Sequence, residues 1–351
     1  MKKIAGQNWA ILALLLTGMF LVSCSHNVGT TTGSQTVLIN GAGSTFGYPI
    51  YSRWADDFHK LRPNVEINYQ SVGSGAGIRQ LLAGTVDFGA SDAPMTDAQL
   101  AQSKSPVLHF PTVLGAVVPT YNVPGITAEL KFTPQALAGI FLGKITKWND
   151  PAITRTNSGL KLPSASIVVI HRSDGSGTSF IWTDYLSKVS ADWKNKVGSG
   201  TSVNWPVGLG GKGSEGVTGL IQQTPNSIGY VELTYAIQNH ILFGAVQNSS
   251  GEFVKASLES VTAAAASAAD SMPKDFRVSI TNPPGKDAYP IASFTWLLVP
   301  TTIPDAAKRD DIKNFLHWML TEGQSDAEPL AYAKLPSDVI DKEAATISEI
   351  H

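Results

Sequence analysis

Unpaired backbone N–H groups at a helix start, backed by the positive end of the helix dipole, suit an oxyanion, and this chain offers such starts repeatedly. Three predicted strands run out into turns rich in Gly, Ser and Thr that read as helix starts: Gly41-Ala-Gly-Ser-Thr-Phe46, Gly73-Ser-Gly-Ala-Gly77 and Arg172-Ser-Asp-Gly-Ser-Gly-Thr178. In the first, Ser44 and Thr45 are residue types that cap a helix or donate to a ligand, and Phe46 supplies a wall. In the second, Ser74 repeats the hydroxyl chemistry, and Gly73, Gly75 and Gly77 leave amides open to close approach. In the third, Arg172 leaves the strand end with a fork of N–H donors, while Ser176, Gly177 and Thr178 open the helix. Asp174, two residues beyond Arg172, is placed to hold its guanidinium. Ordinary capping accounts for any one of these turns. Three together with an arginine predict a cage for a tetrahedral oxyanion.

Asp92, in Phe88-Gly-Ala-Ser-Asp-Ala-Pro94, directly follows another predicted strand. A carboxylate beside an anion is repulsive unless the anion carries a proton to donate. Phosphate does so at neutral pH and sulfate does not, so Asp92 in the cage would select phosphate. The plainer alternative is that Asp92 caps a helix starting at Ala93-Pro94.

Other chemistries fit less well. Ser176 sits in a turn similar to a nucleophile elbow, but Asp174 stands where the first glycine of G-x-S-x-G belongs, and His171 should point away from Arg172 on the same strand. No enzymatic activity is expected. Gly208-Leu-Gly-Gly-Lys-Gly213 satisfies G-x-G-x-x-G only formally, since no hydrophobic strand directly precedes it; a loop closing over the cleft fits better. The scattered histidines and the single cysteine cannot furnish a zinc set, so neither metal nor cofactor is expected. A formal net charge of −2 argues against nucleic acid as a partner.

The elements that must position these groups alternate. Val37–Asn40 and Val65–Tyr69 read as strands around a helix with Ile50, Trp54 and Phe58 at spacings of four, followed by a short helix through Ile78, Leu81 and Leu82 and the strand-like Thr85–Ala90. This β-α order predicts an α/β fold. Val113–Tyr121 and Ile291–Val299, far apart in sequence, are expected to pair as a crossover between domains. The intervening region, with a helix at Pro134–Leu142, strands at Ile167–Ile170 and Ile228–Glu232 and a helix from Ser176, forms a second lobe. At 351 residues, two domains are the expectation. Ser257–Asp270 reads as an Ala-rich helix, and Ile312, Phe315, Leu316 and Met319 follow the spacing of a core-facing one.

Lys2 and Lys3 precede an apolar run from Trp9 to Val22 that ends in Leu21-Val-Ser-Cys24. This resembles a bacterial lipoprotein signal, with the chain's only cysteine at the lipidated position. The reading is a signal peptide at 1–23 and a flexible tether at 24–35, with lipid anchoring through Cys24 in the periplasm or at the cell surface.

The motifs Gly-Ala-Gly-Ser-Thr-Phe at 41–46, Val-Asp-Phe-Gly-Ala-Ser-Asp-Ala-Pro at 86–94, Leu-Gly-Lys-Ile-Thr-Lys-Trp-Asn-Asp at 142–150, Arg-Ser-Asp-Gly-Ser-Gly-Thr-Ser-Phe at 172–180 and Gly-Leu-Gly-Gly-Lys-Gly at 208–213 together resemble the substrate-binding proteins of bacterial phosphate-specific ABC transporters. The resemblance spans about residues 36–345. It implies a periplasmic binding protein fold of type II, two α/β lobes joined by two hinge crossovers, with lobe I at 36–122 and 246–351 and lobe II at 123–245. It implies phosphate contacts from Thr45, the Phe46 amide, Ser74, Asp92, Arg172, Ser176, Gly177 and Thr178, with Ser44 beside them. It also implies a monomer that hands inorganic phosphate to permease subunits driven by a separate ATPase. A surface adhesin or phosphate-sensing scaffold that keeps the fold is the alternative.

Overall fold

The computed structural model describes residues 36–269 and 272–351. The signal, Cys24 and the tether lie outside the described residues.

The first elements follow the predicted alternation: β1 (Val37–Gly43), α1 (Tyr48–Leu61), β2 (Val65–Ser71), α2 (Ser74–Ala83) and β3 (Phe88–Ser91). A short α3 (Asp97–Leu100), with Thr96 and Gln99 forming a capping box, leads to the long β4 (Val107–Asn122). The middle of the chain contributes β5 (Lys131–Phe132), α4 (Pro134–Phe141), α5 (Pro151–Thr154), β6 (Val168–Arg172), α6 (Gly177–Val189), α7 (Ala191–Lys196), β7 (Leu209–Gly211), α8 (Gly213–Gln223), β8 (Ser227–Glu232) and α9 (Leu233–Gln238). Three short strands, β9 (Leu242–Phe243), β10 (Ala245–Gln247) and β11 (Phe253–Val254), precede α10 (Leu258–Ala269), β12 (Ala292–Pro300), α11 (Ala306–Leu320) and α12 (Ser337–Thr346).

Among the described residues, the main sheet runs β2-β1-β3-β12-β4-β8-β6-β7, with β9 also on β4; a small sheet joins β11, β10 and β5. β4 is the strand on which both halves are built. Its first part pairs antiparallel with β12 from Val107↔Pro300 to Ala116↔Ala292, and its last part pairs antiparallel with β8 from Val117↔Glu232 to Asn122↔Ser227. The expected pairing of the two distant apolar stretches is thus present. A mixed sheet with helices gives two α/β lobes, one built on β1, β2 and β3, the other on β6, β7 and β8.

Helix periodicity explains how the lobes are covered. α1 turns Ile50, Tyr51, Trp54 and Phe58 inward, and Trp54 Nε1 donates to the Gly323 carbonyl at 2.7 Å. α11 buries Ile312, Phe315, Leu316 and Met319 as its spacing predicts. In the other lobe Trp182 of α6 stacks on Tyr230 of β8, centroids 5.1 Å apart.

One close approach seats α2 on β1. A Cβ on Gly77 would lie 2.5 Å from Gly43 Cα and closer still to the Ala42 carbonyl oxygen, so α2 rests directly on the backbone of β1. Gly77→Ala is therefore expected to lower the unfolding free energy by about 2 kcal/mol or more, read from urea denaturation. An unchanged midpoint would show that this contact does not hold the turn.

Candidate functional site

Four neighbouring elements, β1, β3, β12 and α2, meet around one buried carboxylate. Asp92 stands just after β3, and Oδ1 accepts from Ser44, in the turn after β1, and from Thr295 Oγ1 of β12 at 2.7 Å. Among the described residues, Oδ2 accepts only from Ser74 Oγ at the start of α2, at a long 3.4 Å, while Ser74 Oγ in turn accepts from the Asp92 N–H at 3.2 Å. Asp92 is therefore not a helix cap; the helix that follows starts at Asp97 and is capped by Thr96. The two carboxylate oxygens differ in consequence: Oδ1 holds two strong hydroxyl donors, and Oδ2 keeps lone-pair capacity on the side facing Gly177, where a Cβ would come within 2.5 Å of it. Burial pushes the Asp92 carboxyl up from its ordinary 3.8 to about 6, against the opposing pull of the Ser44 and Thr295 hydrogen bonds, the Arg172 charge and the Ser74 bond.

The second half of the site comes from the other lobe. Arg172, the last residue of β6, gives Nε to Asp174 Oδ1 at 2.8 Å and Nη2 to Oδ2 at 2.6 Å, a bidentate pair that leaves the Nη1 edge 3.4 Å from Thr178 Oγ1. Burial alone would raise Asp174, but the hydrogen bonds and charge of Arg172 outweigh it and hold this carboxyl below the usual range. Ser176 is the N-cap of α6: its Oγ accepts from Ser179 N–H at 3.0 Å, which leaves the hydroxyl proton free to donate. Gly177 and Thr178 occupy the first two helical positions, whose N–H groups have no intrahelical partner.

The halves touch. Gly75 N–H donates to the Gly175 carbonyl at 2.8 Å, and Thr45 Oγ1 lies 2.8 Å from Ser214 Oγ on α8. Ser44, Thr45, Phe46, Ser74, Asp92, Arg172, Ser176, Gly177 and Thr178 are all buried at this junction.

Three expectations need correction. Ser44 and Thr45 do not cap α1, which starts at Tyr48 with Gly47 as N-cap and Pro49 in its first turn; Ser44 Oγ instead accepts from Gly47 N–H at 3.0 Å and donates to Asp92. The glycine amides of the second turn are not open to a ligand: Gly73 donates to Gly43, Gly75 to Gly175 and Gly77 to Gly73. These glycines instead allow contact between lobes, since Gly73, at φ 88°, leaves no room for a Cβ beside the Asp174 carboxylate. The Gly208–Gly213 segment is not a loop over the cleft but strand β7, paired parallel with β6, running into α8. It is a further strand-to-helix turn, and it brings Ser214 and the Gly213 N–H, which donates to Asp174 Oδ1 at 3.0 Å.

Ser214 was legible in principle from that same strand-turn-helix pattern, obscured because Leu209-Gly-Gly211 is too short and too glycine-rich to read as a strand. Thr295 lies within an apolar strand and carries no local signal. His171 faces away from Ser176: its ring stacks on Trp205 with centroids 4.8 Å apart, and burial pushes its pKa down. The geometry thus offers hydroxyls, helix-start amides and one guanidinium edge to an anion, with a carboxylate oxygen beside them.

Comparisons agree with this architecture. The profile of the PBP superfamily domain matches residues 30–322. The chain is 48% identical over 308 residues to the phosphate-binding protein PstS of Xylella fastidiosa strain Temecula1, covering 88% of this chain and 84% of that one. It is 46% identical over 325 residues to the protein of the same name from Pasteurella multocida, covering 92% and 93%. A solved phosphate-binding protein from Stenotrophomonas maltophilia shares the fold at a TM-score of 0.68 with 19% identity, over 88% of this chain and 94% of that one.

Gly177→Ala tests the junction. The new methyl meets Asp92 Oδ2 and Ser74 Oγ only when the lobes are together, so the melting temperature of the ligand-free protein should stay within about 2 °C while affinity for any oxyanion the wild type binds falls roughly 10- to 100-fold. Equal affinities in calorimetric titrations would show that α6 does not close on Asp92.

Proposed function

The chain belongs to the phosphate-binding proteins of the PBP superfamily, and on that premise we propose that it captures inorganic phosphate outside the cytoplasmic membrane and delivers it to an ABC permease for import. The single observation that carries the reading is the unequal coordination of Asp92, with Oδ1 holding Ser44 and Thr295 and Oδ2 open toward Gly177.

Phosphate enters between lobe I, at 36–122 and 246–351, and lobe II, at 123–245. Thr45, the Phe46 amide and Ser74 donate from the first. The Arg172 edge, Ser176, and the amides of Gly177 and Thr178 donate from the second. The P–OH group of the anion donates to Asp92 Oδ2. Charge-assisted hydrogen bonds net about 1.5–3 kcal/mol each, so a set of them offsets the cost of stripping water from the anion, and no single donor dominates. Sulfate has no proton and meets a bare carboxylate. Asp174 holds Arg172 in register without touching the guest. Closure follows because phosphate binds the closed form better, and the protein works without chemistry of its own. The leader and Cys24 provide export and a lipid anchor, and the protein acts as a monomer.

Titration calorimetry with phosphate and sulfate tests this. Tight phosphate binding with no sulfate heat is expected at pH 8. In Asp92→Asn, sulfate affinity should rise about tenfold or more while phosphate affinity falls by less; unchanged selectivity would remove the proton-sensing role of Asp92. Because burial raises the Asp92 carboxyl to about 6, it takes up a proton as pH falls through that value and can then donate to an unprotonated oxyanion. Sulfate should therefore bind measurably at pH 5 in the wild type, and equal sulfate affinity at pH 5 and pH 8 would contradict the assignment. Replacing Cys24 by Ala should release the protein from membranes in cell fractionation, and retention would rule out the anchor.

A further inference from the structure

In the turn after β1, three successive peptide carbonyls each accept from a tyrosine hydroxyl, and the tyrosines come from three distant parts of the chain. Tyr69 of β2 donates to the Ser44 carbonyl at 2.8 Å, Tyr235 of α9 to Thr45 at 2.7 Å, and Tyr332, beside the Leu114↔Ala333 bridge to β4, to Phe46 at 2.5 Å. In a trans peptide the C=O and the next N–H point in opposite directions, so each tyrosine sets the direction of the following amide. The Gly47 N–H, opposite the carbonyl held by Tyr332, donates to Ser44 Oγ, the hydroxyl that donates on to Asp92. By the same geometry Tyr235 fixes the Phe46 N–H.

Tyr235 differs from the other two because it reaches across from the opposite lobe. α9 directly follows β8, and Glu232 caps it by accepting from Thr234 N–H at 2.8 Å, which fixes the turn that carries Tyr235. Its oxygen also lies 2.9 Å from Glu215 Oε1 on α8, an acceptor in its own lobe. A phenol has one proton, and a carbonyl and a carboxylate both accept, so the proton serves one of them at a time.

We propose that Tyr235 is a positioning residue that completes the phosphate site only on closure: its hydroxyl passes from Glu215 to the Thr45 carbonyl, and that bond aims the Phe46 N–H at the anion. The proposal rests on the phosphate-binding reading above. Opening the cleft releases the Thr45 carbonyl and leaves the Phe46 amide free to turn, while the phenol keeps an acceptor in Glu215. Site formation and lobe closure thereby become one event rather than two.

The test is phosphate titration of the full chain with amide NMR. In the wild type, phosphate should shift the Phe46, Gly177 and Thr178 amide protons downfield. In Tyr235→Phe, affinity should fall roughly fivefold to twentyfold, with the Phe46 response much reduced and the Gly177 and Thr178 responses kept. An affinity within twofold of wild type, or equal loss at all three amides, overturns the proposal. Glu215→Gln guards against misfolding of the first variant: its amide can donate to the phenol oxygen and leave the phenol proton to Thr45, so it should bind at least as tightly as wild type. A loss beyond about fivefold would show that the phenol serves Glu215 instead, and would equally overturn the proposal. A wild type that binds no phosphate defeats the functional reading itself, whereas a phosphate-binding wild type matched by Tyr235→Phe defeats only the role of Tyr235.

Discussion

A carboxylate buried to 1% exposure, with one oxygen saturated and the other held in reserve, is the constraint around which the rest of this molecule is arranged. Asp92 gains its hydroxyl donors from the two strands flanking β3 and from the helix laid on β1: Ser44 beyond β1, Thr295 in β12, Ser74 at the head of α2. Thr295 is itself held, 3.0 Å from the Tyr51 hydroxyl that also meets Thr112 of β4. Moving any of these strands by one residue would turn its hydroxyl to the other face. The register of the sheet is thus written into the coordination of a single side chain, and burial keeps that side chain near the pH where its proton matters.

The Arg172 guanidinium meets the Asp92 and Asp174 carboxylates at the junction, and Asp174 consumes much of the positive charge of Arg172 through its bidentate pair. In the function proposed, attraction of an anion to such a place comes from oriented dipoles: helix-start amides of α6, the Phe46 amide and hydroxyls whose acceptor side is already occupied, as in Ser176. Dipoles act only if they are aimed, which explains why so many of the surrounding interactions are carbonyl clamps and caps rather than ion pairs. It also favours recognition by proton pattern over recognition by net charge.

Much of the layout was readable along the chain because its determinants are local. The spacing of Ile50, Trp54 and Phe58 predicts α1 and its buried face; Ser176-Gly-Thr178 predicts the start of α6; the apolar runs at 113–121 and 291–299 predict paired strands. The misreadings were also local in origin. Gly73, Gly75 and Gly77 have the composition of an anion loop, but their amides are taken by protein carbonyls, and what the glycines provide is room for α2 on β1 and for Asp174 and Gly175 of the opposite lobe. Leu209-Gly-Gly211 lacks the side chains of a strand and becomes one by pairing with β6.

Residue type and near-neighbour spacing pointed to the groups proposed to carry the chemistry: Asp92 after its strand, Arg172 with Asp174, and the hydroxyls of Ser44, Thr45, Ser74, Ser176 and Thr178. Tertiary structure alone decided which oxygen of Asp92 is left open, that Thr295 and Ser214 join the group, and that Tyr69, Tyr235 and Tyr332 each hold one carbonyl of the same turn. The physical reason is range. Caps and helix faces are fixed by residues three or four apart, whereas a hydrogen bond between Thr45 and a tyrosine 190 positions away exists only once two lobes have folded and met.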